Sequence, residues 1–171
     1  MKRLSILLPV SALTLAACVP SSDLGELKAP APAIDPVAFF LGHTHGDGQL
    51  KIAFSGKTPT LVEGHGRMDG DTLVLDQRVK QGDKPATTRQ WRLRPTGAGR
   101  YAGTLTDATG PVMADVEGNM FHVRFPMKGG TEAEQWLYLQ PGGTVVTNRM
   151  VVTKFGLPVA SLDETITHLA S

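Results

Sequence analysis

Arg89 and Trp91 stand two apart in a stretch whose polar and apolar residues alternate. In a strand that spacing puts both, with Leu93, on one face and Gln90, Arg92 and Arg94 on the other. An arginine on an apolar face is costly unless it is paired. It can clamp a carboxylate or phosphate headgroup, with Trp91 against the attached acyl chain. Alternatively it pairs structurally with an acid such as Asp76 or Asp107, or lies near the rim of the fold. Trp136 and Tyr138 share a face by the same rule, with Tyr101 as a candidate neighbour. Aromatic rings with a polar tip suit a ligand pocket, and they also suit an ordinary core. Asn148 shares a face with Val146, Met150 and Val152, so it needs a buried hydrogen-bond partner, from the protein or from a ligand.

Other constellations are weaker. His43-x-His45 followed by Asp47 has metal-ligand residue types, but no recognised zinc spacing accompanies them. Gly46-Asp47-Gly48 reads as a turn, and Gly64-His65-Gly66 as a bend within a strand. There is no Gly-x-Ser-x-Gly, no carboxylate pair and no recognisable triad. The expectation is a non-enzymatic protein without metal or cofactor. With 17 Lys and Arg against 16 Asp and Glu and no basic run, nucleic acid is not an expected partner.

The one cysteine is Cys18. Lys2 and Arg3 precede an apolar run, Leu4 to Ala17, interrupted by Pro9, Ser11 and Thr14. A charged start, a short apolar stretch and small residues at a cut site make a secretory signal over residues 1–17. The run is shorter than the roughly 20 apolar residues of a transmembrane helix. Leu15-Ala16-Ala17-Cys18 resembles a bacterial lipoprotein signal. That resemblance implies cleavage before Cys18, a thioether-linked diacylglycerol on it and an acylated amino group, making the membrane a partner. An ordinary secretory leader would instead leave Cys18 an odd thiol in an oxidising compartment. The enteric sorting rule places an aspartate after the cysteine for retention on the inner membrane. Val19 stands there, which points to the periplasmic face of the outer membrane.

These residues need a frame. Loss of the leader would remove Lys2 and Arg3 and leave enough chain for one domain with a sizeable core. Residues 18–36, rich in Pro, Ala and Ser, read as a flexible tether. Residues 37–171 read as the folded domain. Strands are predicted near 49–54, 60–69, 72–80, 87–95, 99–106, 112–118, 119–127, 133–140, 143–152 and 161–169. Gly, Asp and Asn pairs such as Asp69-Gly70 and Gly118-Asn119 separate them. The last segment also fits a helix, with Ser161-x-x-Glu164 as a capping box, but Thr165, Ile166 and Thr167 favour strand. About ten short antiparallel strands with tight turns predict an all-β up-and-down barrel, with a two-sheet sandwich as the alternative.

From Phe39 onward the chain resembles an uncharacterised family of bacterial lipoproteins catalogued as a domain of unknown function. The residues that carry the resemblance include Phe39-Phe40-x-Gly42, Leu73-x-Leu75-Asp76, Arg89-x-Trp91 and Tyr101-x-Gly103-Thr104. They continue with Asp107-x-x-Gly110, Gly118-Asn119, Trp136-Leu137-Tyr138-Leu139-Gln140 and Asn148-Arg149, with Lys154-Phe155-Gly156 after it. The family tends to carry acids where Glu134-Gln135 stands, and often an aromatic where Val123 stands. The resemblance implies a lipocalin-type or fatty-acid-binding-type barrel. Its members are often encoded near cyclopropane fatty acid synthase, which implies a lipid-linked role by association. The expected function is an envelope-anchored, ligand-binding barrel for a fatty acid or phospholipid. Its candidate contacts are Arg89, Trp91, Tyr101, Trp136, Tyr138 and Asn148, and the anchor is expected to bring the barrel mouth near the membrane. The alternative is an envelope scaffold or accessory subunit with a filled barrel, acting through its outer surface.

Overall fold

A computed structural model describes residues 27–170; the leader, Cys18 and the first part of the expected tether lie outside them. One short helix, α1 (Pro36–Phe40), precedes ten strands: β1 (Gly42–Ile52), β2 (Lys57–Asp69), β3 (Thr72–Gln81), β4 (Thr87–Gly97), β5 (Arg100–Leu105), β6 (Val112–Glu117), β7 (Met120–Met127), β8 (Thr131–Leu139), β9 (Val145–Lys154) and β10 (Leu157–Leu169). Each strand pairs antiparallel with the next, and β10 pairs with β1, closing the barrel. Closure pairs every strand on both sides and leaves no free edge. The C-terminal segment is strand β10.

The first strand begins at Gly42, well before the predicted start at residue 49. Gly46-Asp47-Gly48 is therefore not a turn but the middle of β1. The physical reason is packing. A Cβ on Gly46 would run into the Glu164 carboxyl, and one on Gly48 would lie 2.9 Å from Glu164 Cβ. These glycines clear space inside the barrel for a side chain from β10. Gly66 on β2 works similarly, since a Cβ there would collide with the Phe40 carbonyl.

The two ends of the barrel differ. At one end, the base, α1 closes the interior. Asp35 caps it, its side chain accepting from the Val37 and Ala38 amides at 2.9 and 3.1 Å. Phe39 and Phe40 are buried edge to face, ring centroids 5.0 Å apart. The segment before α1 packs against the same end. Asn119 accepts from the Ala29 amide at 2.7 Å and donates to the Leu27 and Leu139 carbonyls. The Ile34 amide donates to the Gly118 carbonyl, and Ile34 is buried. The expected tether over 18–36 is thus too long at its C-terminal side. From Leu27 onward the chain belongs to the folded unit, because Gly118-Asn119 supplies backbone partners that a Pro-rich segment cannot supply itself.

The other end is the mouth. It is bounded by the β1–β2, β3–β4, β5–β6, β7–β8 and β9–β10 connections. Leu27 to Phe40 lie at the base, so the mouth is the opposite end of the barrel from them.

Candidate functional site

Most inward positions are apolar: Leu73 and Leu75 on β3, Trp91 and Leu93 on β4, Phe121, Val123 and Phe125 on β7, Leu137 and Leu139 on β8. Besides Thr44 and Thr60, five larger polar or charged side chains on the same face break the pattern: Gln77, Arg89, Gln135, Asn148 and Glu164. All five line one interior cavity of about 40 Å3, with Trp91, Phe121, Ile166 and other core residues.

The polar groups form two sets. Gln77 and Arg89 are cross-strand partners. Gln77 Oε1 accepts from Arg89 Nε at 2.8 Å and from Trp91 Nε1 at 2.9 Å. The guanidinium carbon lies 5.9 Å from the Trp91 ring centroid, which favours its charge. Trp91 is held edge to face against Phe125 at 5.4 Å. In the second set Asn148 and Glu164 are cross-strand partners, and Asn148 Nδ2 donates to Glu164 Oε2 at 2.9 Å. Asn148 Oδ1 has no partner, and neither does the buried hydroxyl of Thr60. Gln135 Nε2 donates to the Met150 sulfur at 3.2 Å, a weak acceptor.

The electrostatics follow from burial. Removal from water pushes the Glu164 carboxyl above its ordinary pKa, opposed by the Asn148 bond and the Arg89 charge. Burial likewise pulls Arg89 below its ordinary value, opposed by the charges of Glu164 and then Asp107. Arg89 nevertheless remains a cation at physiological pH. It makes no direct ion pair among the described residues. Asp76, one suggested partner, lies on the outer wall, bonded to Arg67 and Gln90. Arg89 also borders a recess of about 130 Å3 at the mouth, with Lys84, Thr87 and Asp107. It thus stands at the neck between mouth and interior.

Of the sequence-derived site residues, the fold brings Arg89, Trp91 and Asn148 together. Tyr101 does not join them. It packs edge to face on Phe121 at 5.7 Å as part of the core. Trp136 and Tyr138 are on the outer face of β8, whose inward residues are Ala133, Gln135, Leu137 and Leu139. Trp136 stacks on His122, ring planes 10° apart. Both faces of β8 carry large apolar groups, so alternation alone could not say which points in. Gln77, Gln135 and Glu164 were missed. The signal was present, since each interrupts an apolar parity series: Leu75-x-Gln77-x-Val79, Ala133-x-Gln135-x-Leu137 and Leu162-x-Glu164-x-Ile166.

The histidines of β1 face outward. His43 packs on His65 at 4.5 Å, and His45 Nδ1 meets Glu63 Oε1 at 2.6 Å. No group of three metal-ligating side chains forms among the described residues.

Comparison with solved structures places the barrel among known folds. It is similar to the S-type phycobiliprotein lyase CpeS from Guillardia theta, with a TM-score of 0.63 at 6% identity over 79% of this chain and 91% of that one. It is also similar to a protein of unknown function of the DUF3598 family from Nostoc punctiforme PCC 73102, with a TM-score of 0.60 at 12% identity. That match covers 81% of this chain and 50% of the other. At such identities the likeness is one of fold: a closed, calycin-like antiparallel barrel. No curated protein sequence matches the chain. A family model described as protein of unknown function (DUF3833) matches residues 12–168, and the chain belongs to that family.

Proposed function

We propose that the barrel binds an amphipathic acid such as a fatty acid or phospholipid. Its head would lie between Arg89 and Asn148, and its chain would run toward the base along Leu75, Trp91 and Phe121. The observation that carries this reading is the unmatched polar set inside an apolar barrel. A half-buried guanidinium forms no direct ion pair among the described residues, its hydrogen bond going to neutral Gln77, and the buried Asn148 Oδ1 has no donor among them. Each such group destabilises the fold unless something satisfies it. A carboxylic or phosphate head offers an anionic oxygen to Arg89. Its hydroxyl, when protonated, offers a donor to Asn148. Glu164, biased by burial toward its neutral form, would not repel it.

A cavity of about 40 Å3 takes a water or two, not an acyl chain. Binding therefore requires side chains to move, and the flexible Met150, packed against the core, is suited to that. The same small volume favours a second reading, a filled barrel acting through its outer surface as an envelope scaffold. We read the protein as a binder rather than a catalyst, although one similar fold is a lyase by name and a barrel by itself decides neither.

We also read Cys18 as acylated and the protein as held at the periplasmic face of the outer membrane, on the strength of the leader residues alone. Intact-mass measurement of the membrane-extracted protein tests this, and an unmodified Cys18 would refute it. Mass spectrometry of lipids co-purifying with the protein tests the ligand. Failure to bind any of a panel of fatty acids and phospholipids would leave the scaffold reading.

A further inference from the structure

We propose that the mouth rim is a docking surface for an anionic phospholipid bilayer. Phe54 at the tip of the β1–β2 turn and Phe155 at the tip of the β9–β10 turn are 102% and 90% exposed. They are also the two non-glycine residues with left-handed backbone among the described residues, at φ 62° and 52°. Bulky side chains are disfavoured there, and glycine or asparagine would relieve the strain. Both turns therefore carry an aromatic where the backbone resists one and where the ring stands in solvent. Such a double departure from local rules marks a functional position.

The two turns are neighbours because β1 pairs with β10, with the Ala53 amide donating to the Val159 carbonyl at 2.8 Å. Leu157 and Ile52, both exposed, extend the apolar patch between them. Cations flank it. Lys51 and Lys57 are directly opposite each other across β1 and β2, an arrangement that costs stability in water. Lys154 Nζ lies 5.7 Å from the Phe155 ring centroid. The acids at this end are Glu132, on a strand beside β9, and Asp83 and Asp107 on the β3–β4 and β5–β6 connections. Apolar tips above a collar of lysines match a bilayer interface, where rings enter the acyl boundary and ammonium groups reach phosphates. The surface would face a membrane with the end opposite to the chain's point of arrival, and it does so whether or not the interior takes a ligand.

The test uses residues 19–171, which lack Cys18 and keep every contact described above. The protein is sedimented with vesicles of equal parts phosphatidylglycerol and phosphatidylcholine, and with phosphatidylcholine alone. Wild type should bind the anionic vesicles, and added salt should weaken binding. Phe54→Ser with Phe155→Ser should reduce it roughly tenfold or more, with an unchanged or higher Tm because both rings are almost wholly exposed and sit on strained backbone. Lys51→Gln with Lys57→Gln should abolish the preference for anionic lipid. In a Phe54→Trp variant, brominated lipid should quench the new fluorescence. Absence of wild-type binding to anionic vesicles overturns the proposal, as does equal binding by the double-serine variant. So does a dimer in solution that the same variant turns into monomer, since a second copy would then be the occupant.

Discussion

Asn148 and Glu164 face each other across β9 and β10 inside the barrel, joined by one hydrogen bond of 2.9 Å. That bond uses the Asn148 amide and leaves its carbonyl oxygen unpaired. It also sets an acid in a dry environment on a strand packed over Gly46 and Gly48.

Glu164 should make stability depend on pH. Its folded pKa is raised, so the folded state holds the proton where the unfolded chain has lost it. The contribution is fully present below the unfolded pKa and is lost as pH rises through the folded value. Glu164→Gln keeps the acceptor for Asn148 and removes the titration. Its Tm should equal or exceed wild type at pH above the raised folded pKa of Glu164 and lack this fall on alkalinisation, as thermal unfolding across pH would read.

Arg89→Leu should cost little stability, about 1 kcal/mol or less, because the bond lost is to Gln77, which keeps Trp91 as a donor. Fatty-acid binding should fall by more than about tenfold, the loss of one charge-assisted contact. Denaturation and ligand titration on this variant separate the two effects. A loss of stability of about 3–5 kcal/mol would instead identify Arg89 as a structural partner.

Gly46→Ala should destabilise the barrel by about 1–3 kcal/mol, since the added methyl meets the Glu164 carboxyl. Gly56→Ala, where a Cβ would meet nothing within 4 Å, serves as the neutral control. Urea unfolding of the pair measures the difference.

Asn119→Ala should loosen the base. It strips bonding partners from Leu27, Ala29 and Leu139, a cost of about 1–3 kcal/mol for buried groups left unpaired. Limited proteolysis should then cut within residues 27–35 faster than in wild type, while the barrel strands stay protected.

Alternation and turn chemistry were enough for the all-β class and for most strand limits. The predicted 72–80 and 87–95 correspond to Thr72–Gln81 and Thr87–Gly97. Those limits are local, because a period of two and a Gly-Asp turn are properties of a few neighbouring residues. The inward placement of Arg89 and Trp91 was legible for the same reason: the opposite face of β4 is charged.

What only the tertiary structure decided depends on partners distant in sequence. Trp136 and Gln135 could each have faced inward, and the closure of β8 between β7 and β9 turned Gln135 to the cavity. Gly46 and Gly48 looked like a turn until Glu164, more than a hundred residues later, came to occupy the space that they leave. The fate of Leu27 to Asp35 depended on Gly118-Asn119 in the same way. A sequence records which residues are small, polar or apolar. Which of them meet is settled by strand closure and by the need of every buried polar group for a partner.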